Sequence, residues 1–147
     1  MRACLENWRA EVRGQSSHVP RVILAEDDEE LRRLLAGTLR QDGYEVVEAS
    51  SGSELLEILA DQLLHPGSVA GFELVITDIR MPGASGLQAL ETLRGWDWGT
   101  PLMVITAFGD ENAHQEAARI GVAAVFDKPF DLDKFRAAVQ SLLPMPR

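Results

Sequence analysis

Six residues offer reactive side chains at telling places: the carboxylates of Glu26, Asp27, Asp28 and Asp78, the hydroxyl of Thr106 and the ammonium of Lys128. Each follows a short apolar run. Val22-Ile23-Leu24-Ala25 precedes Glu26, and Leu74-Val75-Ile76-Thr77 precedes Asp78. Leu102-Met103-Val104-Ile105 precedes Thr106, and Val122 to Phe126 precedes Lys128. Carboxylates clustered without sulfur or imidazole are hard oxygen donors, the set that Mg²⁺ takes while keeping several waters. A carboxylate beside a hydroxyl and an ammonium is a nucleophile flanked by groups that neutralise charge on a phosphoryl group. Each residue also has a plain structural use. Acids at 26–28 can cap a helix and complement its dipole. Asp78 can close an Asx turn before Met81-Pro82-Gly83, Thr106 can be a strand-end hydroxyl, and Lys128 a solvated loop lysine. Convergence on one edge favours the chemical reading. Crowded carboxylates repel each other and need counter-charge. Glu26, Asp27 and Asp78 against Lys128 leave a deficit that one divalent cation balances.

The elements that would position them follow from periodicity. The four apolar runs, together with Tyr44-Glu45-Val46-Val47-Glu48, read as five strands. Between them lie helical patterns: Leu31, Leu34, Leu35 and Leu39; Leu55, Leu59 and Leu63, stopped by Pro66-Gly67; then Leu87, Leu90 and Leu93. Asp110 caps a fourth helix that ends at Gly121, with Ala113, Ala117 and Ile120 inward. Asp131 caps a fifth with Leu132, Phe135, Val139 and Leu142 inward, stopped by Pro144. Strands joined by single helices run parallel with right-handed crossovers. The expected fold is a doubly wound α/β sandwich, whose functional edge lies at the strand carboxyl ends. The second strand, more polar and ending in Ala49-Ser50-Ser51, reads as an outer strand.

Composition sets the outer bounds. The chain has 147 residues, 46% apolar and 25% charged, as one globular domain does, and a net charge of −9. That charge repels nucleic-acid phosphates and suits a cation site, so direct nucleic-acid binding is not expected. No apolar stretch has the ~18 residues of a membrane span, no secretory signal is visible, and the cytoplasm is the expected compartment. The lone Cys4 excludes an internal disulfide. Residues 1–20 read as an N-terminal extension, flexible or a short helix through Leu5, Trp8 and Val12. Residues 21–143 read as the folded domain and 144–147 as a tail.

Ile23-Leu24-Ala25-Glu26-Asp27-Asp28, Val75 through Gly83, Val104-Ile105-Thr106-Ala107 and Phe126-Asp127-Lys128-Pro129-Phe130 together resemble the receiver domain of two-component response regulators, as in the single-domain chemotaxis-type receivers. The resemblance implies a flavodoxin-like three-layer sandwich with a five-stranded parallel sheet of order 2-1-3-4-5. It implies that Asp78 accepts a phosphoryl group from a histidine kinase or phosphotransfer protein. Glu26 and Asp27 would be the acidic pair, and Mg²⁺ would be held by Glu26, Asp27, Asp78 and the backbone carbonyl of Arg80, with Asp27 and Asp78 its direct side-chain ligands. Thr106 would be the switch hydroxyl, Lys128 would pair with Asp78, and Lys128-Pro129 would be a cis peptide. Asp28 falls one place beyond the pair and is left as a helix-start residue.

The expected role is a phosphorylation-dependent switch rather than an enzyme. Four residues after Leu143 hold no effector domain, so output is expected through the face of the fourth helix, fifth strand and fifth helix, to a downstream protein or a second copy. Three departures stand out. The position three before Lys128, usually Tyr or Phe, is Val125, and Phe126 points to the other side of the sheet. The stretch from His65 to Phe72 is long for the family, and so is the leader. Arg80 and Phe108 stand two places after Asp78 and Thr106, where family analogy puts the flanks of the attacking water's path. Two competing readings are an Mg²⁺-dependent aspartate-based phosphatase and a receiver-like module that is never phosphorylated. The first expects an acid where Arg80 stands, and the second has only Val125 in its favour. His18, His65 and His114 lack ligand spacing and read as surface residues, while Trp96 and Trp98 read as loop packing or a partner patch.

Overall fold

The computed structural model describes residues 19–64, 71–81, 86–95, 99–107 and 110–145. The expectations placed on the leader up to His18, on His65, Pro66-Gly67, Trp96, Trp98 and Phe108 lie outside the described residues. Five strands alternate with five helices: β1 (Arg21–Ala25), α1 (Glu29–Gln41), β2 (Glu45–Ala49), α2 (Gly52–Leu64), β3 (Leu74–Asp78), α3 (Gly86–Gly95), β4 (Leu102–Ala107), α4 (Glu111–Ile120), β5 (Ala124–Lys128) and α5 (Leu132–Leu142). All strand pairs are parallel and the sheet order is β2-β1-β3-β4-β5. The fold is therefore the expected doubly wound flavodoxin-like sandwich. No helix among the described residues is long and apolar enough to cross a membrane.

Side-chain alternation splits the core into two layers. On one face Ile23, Val75 and Val104 pack with Leu55 and Leu59 of α2, Ala89 and Leu90 of α3, and Ala113 and Ala117 of α4. On the other, Val22, Leu24, Ile76 and Ile105 pack with Leu35 and Leu39 of α1 and Phe135 and Val139 of α5. Both faces being covered, the central strands tolerate no alternation of polarity, and β3 is buried at every position. Val125 joins the first layer and Phe126 the second, so the two point to opposite sides as expected. Phe126, Phe130 and Phe135 stack with ring centroids 5.5 to 5.9 Å apart.

The structure corrects several boundaries. Strand β5 starts at Ala124, because the N–H groups of Gly121 and Val122 are spent on the carbonyls of Ala117 and Ala118 at the end of α4. Gly121 makes that turn in the left-handed region at φ 83°. The shift carries β5 through to Lys128, which is a strand residue opposite Ala107 rather than a loop lysine. Leu34 is 53% exposed, since the inward set of α1 is Leu35, Ala36 and Leu39. Tyr44 precedes β2, and its buried hydroxyl donates to the Leu143 carbonyl at 2.6 Å. Caps fall where the sequence placed them: Asp28 accepts from Leu31 N–H, Asp110 from Ala113 N–H and Asp131 from Lys134 N–H.

His114 is not a bare surface residue. Its Nε2 lies 2.6 Å from Asp127 Oδ1, joining α4 to β5. The Asp127 hydrogen bond raises the imidazole above its ordinary value, burial opposes this, and the charges of Asp127, Glu111 and Asp110 add to the rise. A folded value above the unfolded one stabilises fully below about 6.5, and that contribution fades as pH rises through the folded value. The melting-temperature advantage of the native chain over Asp127→Asn is therefore expected to be larger at pH 6 than at pH 8.5. A pH-independent difference would mean that this pair contributes no charge interaction.

Candidate functional site

The site assembles at the carboxyl ends of β1, β3, β4 and β5. Glu26 continues the β1 ladder, its N–H donating to the Ala49 carbonyl at 3.0 Å, and its side chain is fully buried. Burial is tolerated because the carboxylate is partnered: Oε2 accepts the Asp28 N–H at 3.0 Å, and Oε1 lies 2.9 Å from Lys128 Nζ. That last contact is an ion pair without hydrogen-bond alignment. Asp27 is exposed beside it, and Asp28 turns away to cap α1. Asp78, the last residue of β3, is almost fully buried. Its Oδ1 accepts the Arg80 N–H at 2.9 Å and its Oδ2 accepts from Lys128 Nζ at 2.6 Å. The Asx turn and the reactive placement are thus the same conformation: the turn holds one carboxylate oxygen while the lysine holds the other. Lys128 ends β5 and leads into a cis peptide to Pro129.

One oxygen each from Glu26, Asp27 and Asp78 lie within 4.8 Å of one another. Burial, the largest effect, pushes the Glu26 carboxyl up to about 7. The Asp28 N–H and Lys128 pull it down, and the Asp78 charge pushes it up again. Burial also opposes the charge on Lys128, but Asp78 and Glu26 outweigh it and hold the ammonium above its ordinary value. Burial is thus what disfavours the charged form of this acid, and a cation beside it would favour the ionised carboxylate. The donor set is oxygen only, with one member open to water. It fits Mg²⁺ rather than a softer ion.

Thr106, on β4 one residue past the register partner of Asp78, is fully buried. Its hydroxyl makes no hydrogen bond, and among the described residues only Glu26 Oε1 shares that condition. A buried hydroxyl with an unused donor costs about 1–3 kcal/mol, so its retention at a cluster of charge is informative.

Sequence reading missed two side-chain ties beside the site, Arg80 to Asp110 and His114 to Asp127. The Arg80 guanidinium, expected to flank a water path, is held in a fork by Asp110, at 2.9 Å from Nε to Oδ2 and 3.1 Å from Nη2 to Oδ1. The N-cap placement of Asp110 was the available signal, but a cap also receiving an arginine from another loop needs the tertiary fold to be seen.

Comparisons with known proteins agree with this geometry. The family model for the response regulator receiver domain matches residues 22–140. Sporulation initiation phosphotransferase F of Bacillus subtilis (strain 168) is 29% identical over 85% of this chain and 94% of its own length. The regulatory protein AtoC of Escherichia coli (strain K12) is 32% identical over 86% of this chain, which spans only 26% of AtoC. Among solved structures, response regulator protein TrrA of Thermotoga maritima in complex with Mg²⁺-BeF is 26% identical, with a TM-score of 0.71. It covers 85% of this chain and 100% of that one. With the sheet order, the acidic edge and a match over most of its length, the chain belongs to the response regulator receiver domain family.

Proposed function

We propose that the chain is a phosphorylation-dependent switch in which Asp78 accepts a phosphoryl group from a phosphohistidine on a histidine kinase or phosphotransfer protein. The observation that carries this reading is the bridging ammonium: Lys128 Nζ lies 2.6 Å from Asp78 Oδ2 and 2.9 Å from Glu26 Oε1, inside a carboxylate cluster it only partly neutralises. Glu26, Asp27, Asp78 and the Arg80 carbonyl would hold Mg²⁺. When bound, the ion supplies positive charge that shields an incoming phosphoryl group from the three carboxylates.

The chain's own groups have distinct parts. An Asp78 oxygen attacks phosphorus, the new O–P bond forms as the P–N bond to the donor imidazole breaks, and the imidazole leaves with that electron pair. Lys128 stays within reach of the charge that builds on the transferred oxygens. Thr106 has a hydroxyl donor to spend on one of them, and no acceptor among the described residues takes it. The buried Glu26 carboxylate keeps the lysine placed. Output would then pass through α4, β5 and α5 to a downstream protein or a second copy. AtoC, a regulatory protein much longer than this chain, is compatible with a receiver serving other domains.

Intact mass after incubation with acetyl phosphate and Mg²⁺ tests the reading. The native chain is expected to gain one phosphate and Asp78→Asn none. A native chain that gains nothing, or a variant that still gains it, would overturn the assignment.

A further inference from the structure

We propose that Arg80 is shared between Asp110 and the phosphoryl group that Asp78 would carry, so that Asp110 competes for the guanidinium and ties the start of α4 to the state of the site. This rests on the reading of Asp78 as phosphoacceptor and adds to it a route from that residue to a helix.

The geometry supplies each link. Arg80 is fixed on the rim of the site by its own N–H, which donates to Asp78 Oδ1 at 2.9 Å. Its guanidinium reaches away to Asp110 in a two-bond fork, the arrangement that matches carboxylate and phosphate equally well. Asp110 Oδ1 is doubly used: it takes one arm of the arginine and, at 3.0 Å, the Ala113 N–H in the first turn of α4. The arginine side chain is 61% exposed, so little packing holds it. The Asp78 charge already adds to that of Asp110 in favouring the guanidinium cation.

Phosphorylation makes the contest unequal. A carboxylate with one negative charge becomes an acyl phosphate with about −1.5 to −2 at neutral pH and three acceptor oxygens. Asp110 loses little when the arginine leaves, because it keeps the Ala113 N–H and sits at the favourable end of the α4 dipole. What is lost is the tie between the β3–α3 loop and the α4 N-terminus. Among the described residues α4 buries only Ala113 and Ala117, so side-chain ties such as this one, His114 to Asp127 and Arg119 to Glu91 share in docking it, and this is the one at its N-terminus.

The test uses beryllium fluoride with Mg²⁺ as phosphoryl mimic on the full chain. Asp110→Asn keeps a good N-cap residue and so keeps the fold, but gives up the charge. It is expected to bind the mimic about two- to fivefold more tightly, the range of one well-formed exposed ion pair. Arg80→Ala, which leaves the backbone of residue 80 in place, is expected to bind it more weakly. The double variant is expected to match Arg80→Ala, because Asp110 then has nothing to withhold. In the native chain the mimic should also shift the Ala113 amide resonance, and in Arg80→Ala that shift should be much smaller. Unchanged affinity in Asp110→Asn, additive effects in the double variant, or an Ala113 shift that survives Arg80→Ala would overturn the proposal. A native chain that does not bind the mimic would instead overturn the phosphoacceptor reading on which it rests.

Discussion

Lys128→Ala is expected to bind Mg²⁺ at least tenfold more tightly than the native chain while taking up phosphate about a hundredfold more slowly. The two effects have opposite signs because the ammonium plays two parts. Toward a metal it is a competitor: it lies 2.6 Å from Asp78 and 2.9 Å from Glu26, the carboxylates a cation would use. Unit charges 4 Å apart interact by about 4 kcal/mol at an effective dielectric of 20, so removing a like charge from beside a divalent ion leaves ample room for a tenfold gain. Toward a reacting phosphoryl group the ammonium is a positive charge held in place by two carboxylates at a half-buried position, and such groups are typically worth 10²–10³ in rate. Titration calorimetry with MgCl₂ and the rate of mass gain with acetyl phosphate measure the two separately. If both fell together, the lysine would be holding the loop in shape rather than acting by its charge.

The largest effect on stability is expected at Phe135. Its ring is fully buried, lies within 6 Å of the Phe126 and Phe130 rings, and fixes α5 to the sheet. Phe135→Ala is expected to cost about 3–5 kcal/mol, by loss of transfer energy plus the cavity left behind. In a domain whose whole stability is about 5–15 kcal/mol, that is a large share, and the melting temperature should fall by roughly 10 °C or more. Leu34→Ala is the internal control, because Leu34 is 53% exposed despite its place in an apolar pattern. It should stay within about 0.5 kcal/mol of the native chain. Urea unfolding with an unchanged m value would attribute the Phe135 loss to the native state. Equal costs at the two positions would contradict the packing described here.

The fold was legible because its units are local. Four apolar runs each lead into a polar residue, Asp110 and Asp131 cap helices, and Gly121 ends one, and all of these are short-range signals. The meeting of Glu26, Asp27 and Asp78 was legible for a different reason. Parallel strands send their carboxyl ends to one edge, so three acids far apart in sequence have one place to go. Strand β5 was misplaced by two residues because Val122 is apolar but serves the cap of α4, a use that hydrophobicity does not register. Leu34 misled for a related reason: it stands at one edge of the apolar stripe, about 140° around the helix from Leu39 at 3.6 residues per turn, and there it is 53% exposed. The pairs Arg80–Asp110 and His114–Asp127 were hidden because they depend on how α4 lies over the sheet. With 14 lysines and arginines, 3 histidines and 23 acidic residues to combine, sequence alone gives no reason to choose those two.

The alanine face of α4 has one more consequence. Ala113 and Ala117 are its fully buried residues, with Ile120 only partly covered, so the helix removes few methyl groups from water by lying where it does. Heat-capacity change scales with apolar area, at about 0.45 cal/mol/K per Å². A displacement of α4 would expose little of it, and the enthalpy and entropy of that displacement would stay nearly constant on warming. The equilibrium of a signal carried by this helix would then follow a straight van't Hoff line, with one enthalpy across the range of temperatures at which the domain is folded.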